Sequence, residues 1–378
     1  MRLFSFIALA PLAAALLGAP NSHAMLGLDA TGVSAFTDPV VKLNPRFVQG
    51  RKLTYVLKSS IRVPQARVAA EGDEADAVQP SLAFDLECEM RLTTAGVGED
   101  GSASFIVLFP RVLVTSGVDD LVQHSFDSAA QPPAPTPPAP ADPAVNPTDP
   151  NSPDAAAAPA PPADPGSAVS VVGPLLHDAS IRIDVGPDGV LTALEGLDLA
   201  YAAAILSPEG HRVLGPFAPG VATRTFAALF RVDSPDAAGK FADRELDDTW
   251  TITDQTVLSA EAVLTRTISH QLESLAPELV TLQLTGNASI GKPPEGSRPA
   301  ARPRSAGRPG SDGGLTAAIV ITEQADTGDA EWNPAAGVLL SRVRQSSLTT
   351  QAELGTHKGL PQRVESRIEI KLKEKVEP

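Results

Sequence analysis

Residues 82–92 read Leu-Ala-Phe-Asp-Leu-Glu-Cys-Glu-Met-Arg-Leu. Leu82, Phe84, Leu86, Cys88, Met90 and Leu92 alternate with Ala83, Asp85, Glu87, Glu89 and Arg91. Successive side chains of an extended chain point to opposite faces, so this period of two predicts a strand with one buried face and one wet face. Parallel sheets covered on both sides read instead as continuous apolar runs, and the alternation therefore indicates an antiparallel sheet open to water on one side.

The same logic recurs outward from this segment. Near the C-terminus Val364, Ile368, Ile370 and Leu372 alternate with Glu365, Arg367, Glu369, Lys371 and Lys373. Less regular strands are readable at 52–63, 103–114, 179–185, 262–274, 279–290, 315–324 and 338–351, and another is expected to start at Trp250. Gly186-Pro187-Asp188-Gly189 supplies turn residues between two alternating arms, which predicts a hairpin. Helical spacing is confined to the middle: Leu194, Leu197, Tyr201 and Ile205, then Ala222, Phe226, Leu229 and Phe230 behind Pro216, Pro219 and Gly220. A sheet with one apolar face needs a cover, because soluble proteins leave only a few hundred Å² of contiguous apolar surface exposed. The expected fold is all-β or α+β: a curved, half-barrel-like antiparallel sheet with short helices on its concave face.

Composition divides the chain of 378 residues. Residues 1–24 read as a cleavable signal peptide, with Arg2 before the apolar run Leu3 to Leu17 and Ser22-His23-Ala24 as a small-x-small site. Residues 25–130 form the N-terminal β part. Residues 131–166 are rich in Pro and Ala, acidic and short of large apolar side chains, which predicts an extended linker. Residues 167–378 form the C-terminal β part with the helices, interrupted at 291–314 by a Pro/Gly/Arg-rich basic insertion, and 69–80 is a shorter acidic loop. No cysteine stands near the expected cleavage site to take a lipid, and no later apolar run is long enough to span a bilayer. A secreted or periplasmic location follows from this reading.

The net charge of −15 argues against nucleic acid as a partner, and a single cysteine, Cys88, excludes an internal disulfide and any multi-cysteine metal site. Glu87 and Glu89 flank Cys88, so an inert buried thiol is expected. The chain has no G-x-S-x-G elbow, phosphate-binding glycine loop, dinucleotide fingerprint, H-E-x-x-H or EF-hand loop. Its histidines lack metal-ligand spacing, and no catalytic residue, metal site or cofactor is expected. In Leu264-Thr-Arg-Thr-Ile-Ser-His-Gln-Leu272, Arg266 and His270 share a face with Leu264, Ile268 and Leu272. They can make polar contacts inside a cavity or be satisfied groups near a strand end.

Gly50-Arg51-Lys52-Leu53-Thr54-Tyr55, the Asp184 to Leu191 pattern D-x-G-x-D-G-x-L, Asp248-Thr249-Trp250 and Gly337-Val338-Leu339 give the chain a resemblance to secreted bacterial proteins of unknown function. More distantly, the layout is similar to LolA/LppX-type lipoprotein carriers. That resemblance implies a half-barrel holding acyl chains under helices, and it supplies no catalytic residue. The expected function is non-enzymatic: binding of a lipid or other apolar ligand between sheet and helices, with Leu197, Tyr201, Phe226, Phe230, Arg266 and His270 as candidate contacts. The alternative is an envelope-associated structural or protein-interaction module with a filled interior and an envelope protein as partner.

Overall fold

The computed structural model describes residues 39–64, 80–118, 121–130, 165–207, 209–236, 239–257, 263–291, 318–354, 357–358 and 361–378. The segment expected to be a signal peptide at 1–24, all but Pro80 of the expected acidic loop, nearly all of the expected linker at 131–166 and all but Gly291 of the 291–314 stretch lie outside the described residues.

The strands are β1 (Lys52–Pro64), β2 (Ser81–Val97), β3 (Ala103–Val118), β4 (Leu121–Asp127), β5 (Ser180–Val185), β6 (Leu191–Glu195), β7 (Thr249–Val257), β8 (Val263–Leu275), β9 (Val280–Gly291), β10 (Ala318–Asn333), β11 (Val338–Leu354), β12 (His357–Lys358) and β13 (Gln362–Val376). They form one sheet in the order β6-β5-β3-β2-β1-β13-β11-β10-β9-β8-β7, with β4 on β3 and β12 on β11. Among the described residues neighbouring strands pair antiparallel, and the sheet is open, ending at β6 and β7. The two β parts on either side of the 131–166 segment therefore belong to one sheet. They join twice, where β3 pairs with β5 and where β1 pairs with β13, Leu57 opposite Ile370 and Ser59 opposite Ile368.

The expected alternation is realised in β2 from Phe84 onward: Phe84, Leu86, Cys88, Met90 and Leu92 are buried, while Asp85, Glu87, Glu89 and Arg91 are half-buried or exposed; at the start of the strand it fails, Leu82 being half-buried and Ala83 buried. Between Glu89/Arg91 of β2 and Leu108/Arg111 of β3 the register shifts by one residue. The extra residue lies at Phe109-Pro110, where a bulge accommodates a proline that cannot donate to the ladder and lets Phe109 and Val112 both point inward. Burial pushes the Cys88 thiol far above its usual range, with Glu87 adding to the effect, so the thiolate that would react is suppressed.

Helix α1 (Pro165–His177) starts on a proline, which suits a first helical position. It buries Ala168, Val169, Val172 and Leu176. Helix α2 (Asp198–Ile205) buries Ala200 and Ala204 rather than the expected Leu194–Ile205 face: Leu194 belongs to β6, and Ile205 is exposed. Helix α3 (Gly210–Leu214), a 3-10 turn at Gly215–Phe217 and α4 (Ala222–Phe230) complete the cover. The apolar stretch Gly210–Phe230 is long enough to cross a membrane by composition, but it is broken at the turn and largely buried.

The helices and the strands from β5 to β1 enclose an aromatic interior. Phe105 lies 4.9 Å from Phe230 and 5.6 Å from Phe47, while Phe217 lies 5.2 Å from Phe109 and 5.7 Å from Phe226, centroid to centroid. Such pairs add about 0.5–1.5 kcal/mol each beyond the area they bury. The β5–β6 turn abuts the end of α4 so closely that a Cβ on Gly189 would stand 2.5 Å from the Phe230 carbonyl oxygen, and Gly189 also has a φ of +79°. Only glycine meets both demands.

Candidate functional site

The inward face of the remaining strands is built differently. On β8 the expected parity holds: Leu264, Ile268, His270 and Leu272 are buried with Arg266 half-buried among them. On β10 and β11 the register pairs Ala330 with Arg342 and Gly328 with Arg344, so two arginines enter the covered face opposite small residues. Arg344 forms a two-pronged ion pair with Asp326, its Nε donating to Oδ1 at 2.7 Å. Small residues make the space for this pair: a Cβ on Gly286 of β9 would meet the Asp326 carboxylate at 2.7 Å.

Helix α4 and the segment after it close the space. The buried Asp233 carboxylate accepts from Arg244 Nε at 3.0 Å and Nη2 at 2.8 Å. Trp250 Nε1 donates to the Val232 carbonyl at 3.0 Å, and the Arg244 guanidinium lies 4.5 Å from the Trp250 ring centre. These contacts pin residues 231–234 against β7. His270 stacks on Trp250 with ring centres 5.5 Å apart and planes 9° from parallel.

Between α4 and the strands β7, β8, β11 and β13 lies a cavity of about 100 Å³. Its apolar wall comes from Val221, Ala227, Ala228, Ile252, Ile268, Ile368 and Ile370, and its polar wall from Arg224, Arg231, Asp254, Arg266, His270, Arg342 and Arg344. It has room for several waters or one small polyatomic group, since a single water needs only about 10–15 Å³ of such space. A more open space of about 360 Å³ adjoins it and shares Arg224, Ala227, Arg231 and Asp254. That vestibule is lined by Val190 and Leu191 of the β5–β6 hairpin and by Gln255 of β7, so it opens between the two edges of the sheet, with α4 filling the seam.

The polar wall is electrostatically loaded. Arg342 is buried, its Nη1 lies 3.4 Å from the Ala228 carbonyl, and burial followed by Arg344 pulls its guanidinium down to about 10. Arg266 is also pulled down to about 10, first by burial and then by Arg224 and Arg344. Both keep their charge at neutral pH. Burial and then Arg342 pull His270 down to about 3, so its imidazole is neutral. Among the described residues neither ring nitrogen of His270 makes a well-formed hydrogen bond, although the Ile268 backbone is near enough to favour its protonated form, and Arg266 Nε and Arg231 Nε have no partner. A native interior satisfies nearly all such atoms.

Of the residues singled out in the sequence, the cavity brings together Arg266 and His270. Phe226 and Phe230 are buried in the aromatic interior. Leu197 is buried at the start of α2, and Tyr201 is half-buried against the same core. Sequence reading missed Arg342, Arg344, Asp326, Arg224 and Arg231. The one signal for the first two was their spacing of two inside the strand 338–351. Among the described residues no group of three or more His, Cys, Asp or Glu side chains is placed to hold a metal ion.

Two larger grooves of about 380 and 290 Å³ lie on the opposite face of the sheet. They are shallow, and their charged walls include groups already engaged in ion pairs, Arg62 with Asp85 at 2.9 Å and Lys58 with Glu87 at 3.2 Å. Among the described residues, four of the six buried side-chain polar atoms without partners belong to Arg231, Arg266 and His270 of the cavity under α4; the other two are Ser116 Oγ and Trp332 Nε1.

No family model matches the chain, and no curated protein matches it in sequence. Among solved structures, a lipovitellin studied for its lipid–protein interactions is similar at 10% identity with a TM-score of 0.40, the match covering 88% of this chain and 26% of that one. The chain thus spans about a quarter of that protein's length. Pseudomonas aeruginosa OccK8 (OprE) aligns at 9% identity with a TM-score of 0.15 over 88% of this chain and 100% of that one. Likenesses of this degree carry no functional information.

Proposed function

We propose that the protein is a non-enzymatic secreted or periplasmic binding protein that takes an amphiphilic ligand between its sheet and its helices. The observation that carries this reading is the cavity under α4: one wall is aliphatic, the other is charged, and a vestibule leads to it through the seam of the sheet. Small-molecule sites are typically concave and mostly apolar, with a few placed polar groups that fix orientation. The inner cavity is too small for a whole lipid. The ligand would seat one end there and lay the rest in the vestibule against Val190 and Leu191. The N-terminal signal supplies the location in this proposal.

Native mass spectrometry of protein purified from its own envelope tests the reading. It predicts a bound mass that extraction with organic solvent removes, and a bare polypeptide that also fails to take up short-chain amphiphiles would refute it. The second reading, an envelope interaction module with a filled interior and a protein partner, is favoured by the tightly packed aromatic cluster of Phe105, Phe109, Phe217, Phe226 and Phe230. It would be upheld by that same bare polypeptide.

A further inference from the structure

We infer that the cavity under α4 is an oxyanion site, and that the group it holds is a phosphate-type dianion with Arg342 and Arg266 as its principal contacts. This rests on the binding-protein reading above and names the chemistry of the ligand end that enters the cavity. Five guanidinium groups line the cavity, against the carboxylates of Asp254 within it and Asp326 beside it. Asp326 is engaged by Arg344, and Asp254 lies 3.8 Å from Arg231. Among the described residues neither Arg266 nor Arg342 forms an ion pair with a carboxylate, although both are largely removed from water.

Burying unpaired cations is costly, and a buried charge is normally paired or hydrogen-bonded. Here the cost recurs on two strands, β8 and β11, that face one space. Two further groups are poised without well-formed hydrogen bonds: Arg266 Nε, and His270, which is 1% exposed. A neutral imidazole can donate one hydrogen bond to an anion while the guanidinium groups supply planar forks. A carboxylate would neutralise one of the excess charges and accept at two oxygens. A phosphate monoester or inorganic phosphate neutralises nearly two and offers three or four oxygens to donors that converge from β8, β11 and α4. The cavity volume of about 100 Å³ admits such a group.

The group could arrive as a lipid phosphate or as free phosphate, and calorimetry in phosphate-free buffer separates the two. The full mature chain is titrated with inorganic phosphate, with dihexanoyl phosphatidic acid below its micelle concentration, and with uncharged dihexanoylglycerol. The same titrations are made on Arg342→Met and Arg266→Met, with thermal midpoints recorded throughout. The expected result is that the phosphatidic acid binds and that each substitution weakens it about tenfold or more, the fold-change of one lost charge-assisted hydrogen bond. The ligand-free midpoint of Arg342→Met should hold or rise, because a buried cation beside Arg344 is gone. Binding of inorganic phosphate with equal affinity assigns the site to a free anion, and binding of phosphatidic acid alone assigns it to a lipid headgroup. Binding by the wild type that both variants retain in full, or failure of both anions to bind, overturns the inference. If dihexanoylglycerol still binds in that last case, the binding-protein reading survives it. If nothing binds, both fall.

Discussion

The strands from β6 to β1 and those from β13 to β7 belong to one sheet under one set of helices, yet their covered faces are filled in opposite ways. In the first, Leu57, Phe84, Met90, Phe105, Phe109 and Ile183 join Phe217, Phe226 and Phe230 in a cluster without a charged side chain. In the second, Asp326, Arg342, Arg344, Arg266 and His270 occupy inward positions and leave a cavity. The difference shows that helical cover does not by itself define a ligand space. The same α4 seals a core with Phe226 and Phe230 and roofs a cavity with Ala227 and Ala228. One half supplies the stability against which the other can hold unpaired charge.

The filled half breaks most easily. Phe84→Asp should cost about 4–5 kcal/mol, the sum of ~2 kcal/mol of lost apolar burial and the penalty of an unpaired carboxylate among apolar side chains. Its neighbour Asp85 sits on the wet face in an ion pair with Arg62. Asp85→Ser should cost less than about 1 kcal/mol, as surface pairs do. Chemical denaturation of the two variants checks the contrast, and equal midpoints would mean that β2 is not one-sided.

In the charged half, Asp326→Asn removes the carboxylate that pairs with Arg344 and should destabilise by about 3 kcal/mol, the cost of breaking a buried pair. Under the oxyanion assignment the loss should shrink in the presence of phosphate, which a thermal scan with and without the anion measures. No change in the melting transition would show that the pair is solvated.

A smaller effect comes from His270. Its folded value near 3 lies below the unfolded value of 6.5, so between these pH values the unfolded chain binds the proton more readily. Stability is then present above about pH 6.5 and is lost as pH falls toward 3. From pH 7 to pH 5 the loss from this one group is about 2 kcal/mol. His270→Phe keeps a ring on Trp250 and removes the titration, and it should flatten the slope of stability against pH in that window.

The one-sided strands were legible because an antiparallel sheet wetted on one face writes its parity into the chain. The helix Ala222–Phe230 was legible for the equivalent reason at helical spacing. α1 was not, since it begins inside a Pro/Ala-rich run whose composition argues for a linker, and its buried residues Ala168, Val169, Val172 and Leu176 make a face only once β3 is there to receive it. Of the candidate site, parity placed Arg266 and His270 on the inner face. Arg342 and Arg344 were hidden because β10 and β11 are joined through register shifts, between Ile321/Glu323 and Glu331/Trp332, that no local pattern announces. Net charge misled in a related way: an overall value of −15 gives no hint that five arginines converge inside.

Under the proposed function, ligand space lies under Ala227 and Ala228 and not under Phe226. An environment-sensitive acyl phosphate probe, titrated at a temperature where every variant is folded, tests it on wild type, Phe226→Ala and Ala228→Phe. Phe226→Ala should lose about 3–5 kcal/mol of stability to a new cavity and still bind the probe within about twofold of wild type, a difference of less than ~0.5 kcal/mol. Ala228→Phe should fill the cavity and abolish binding. Binding that vanishes in Phe226→Ala but survives in Ala228→Phe, or no binding by the wild type, would contradict the account.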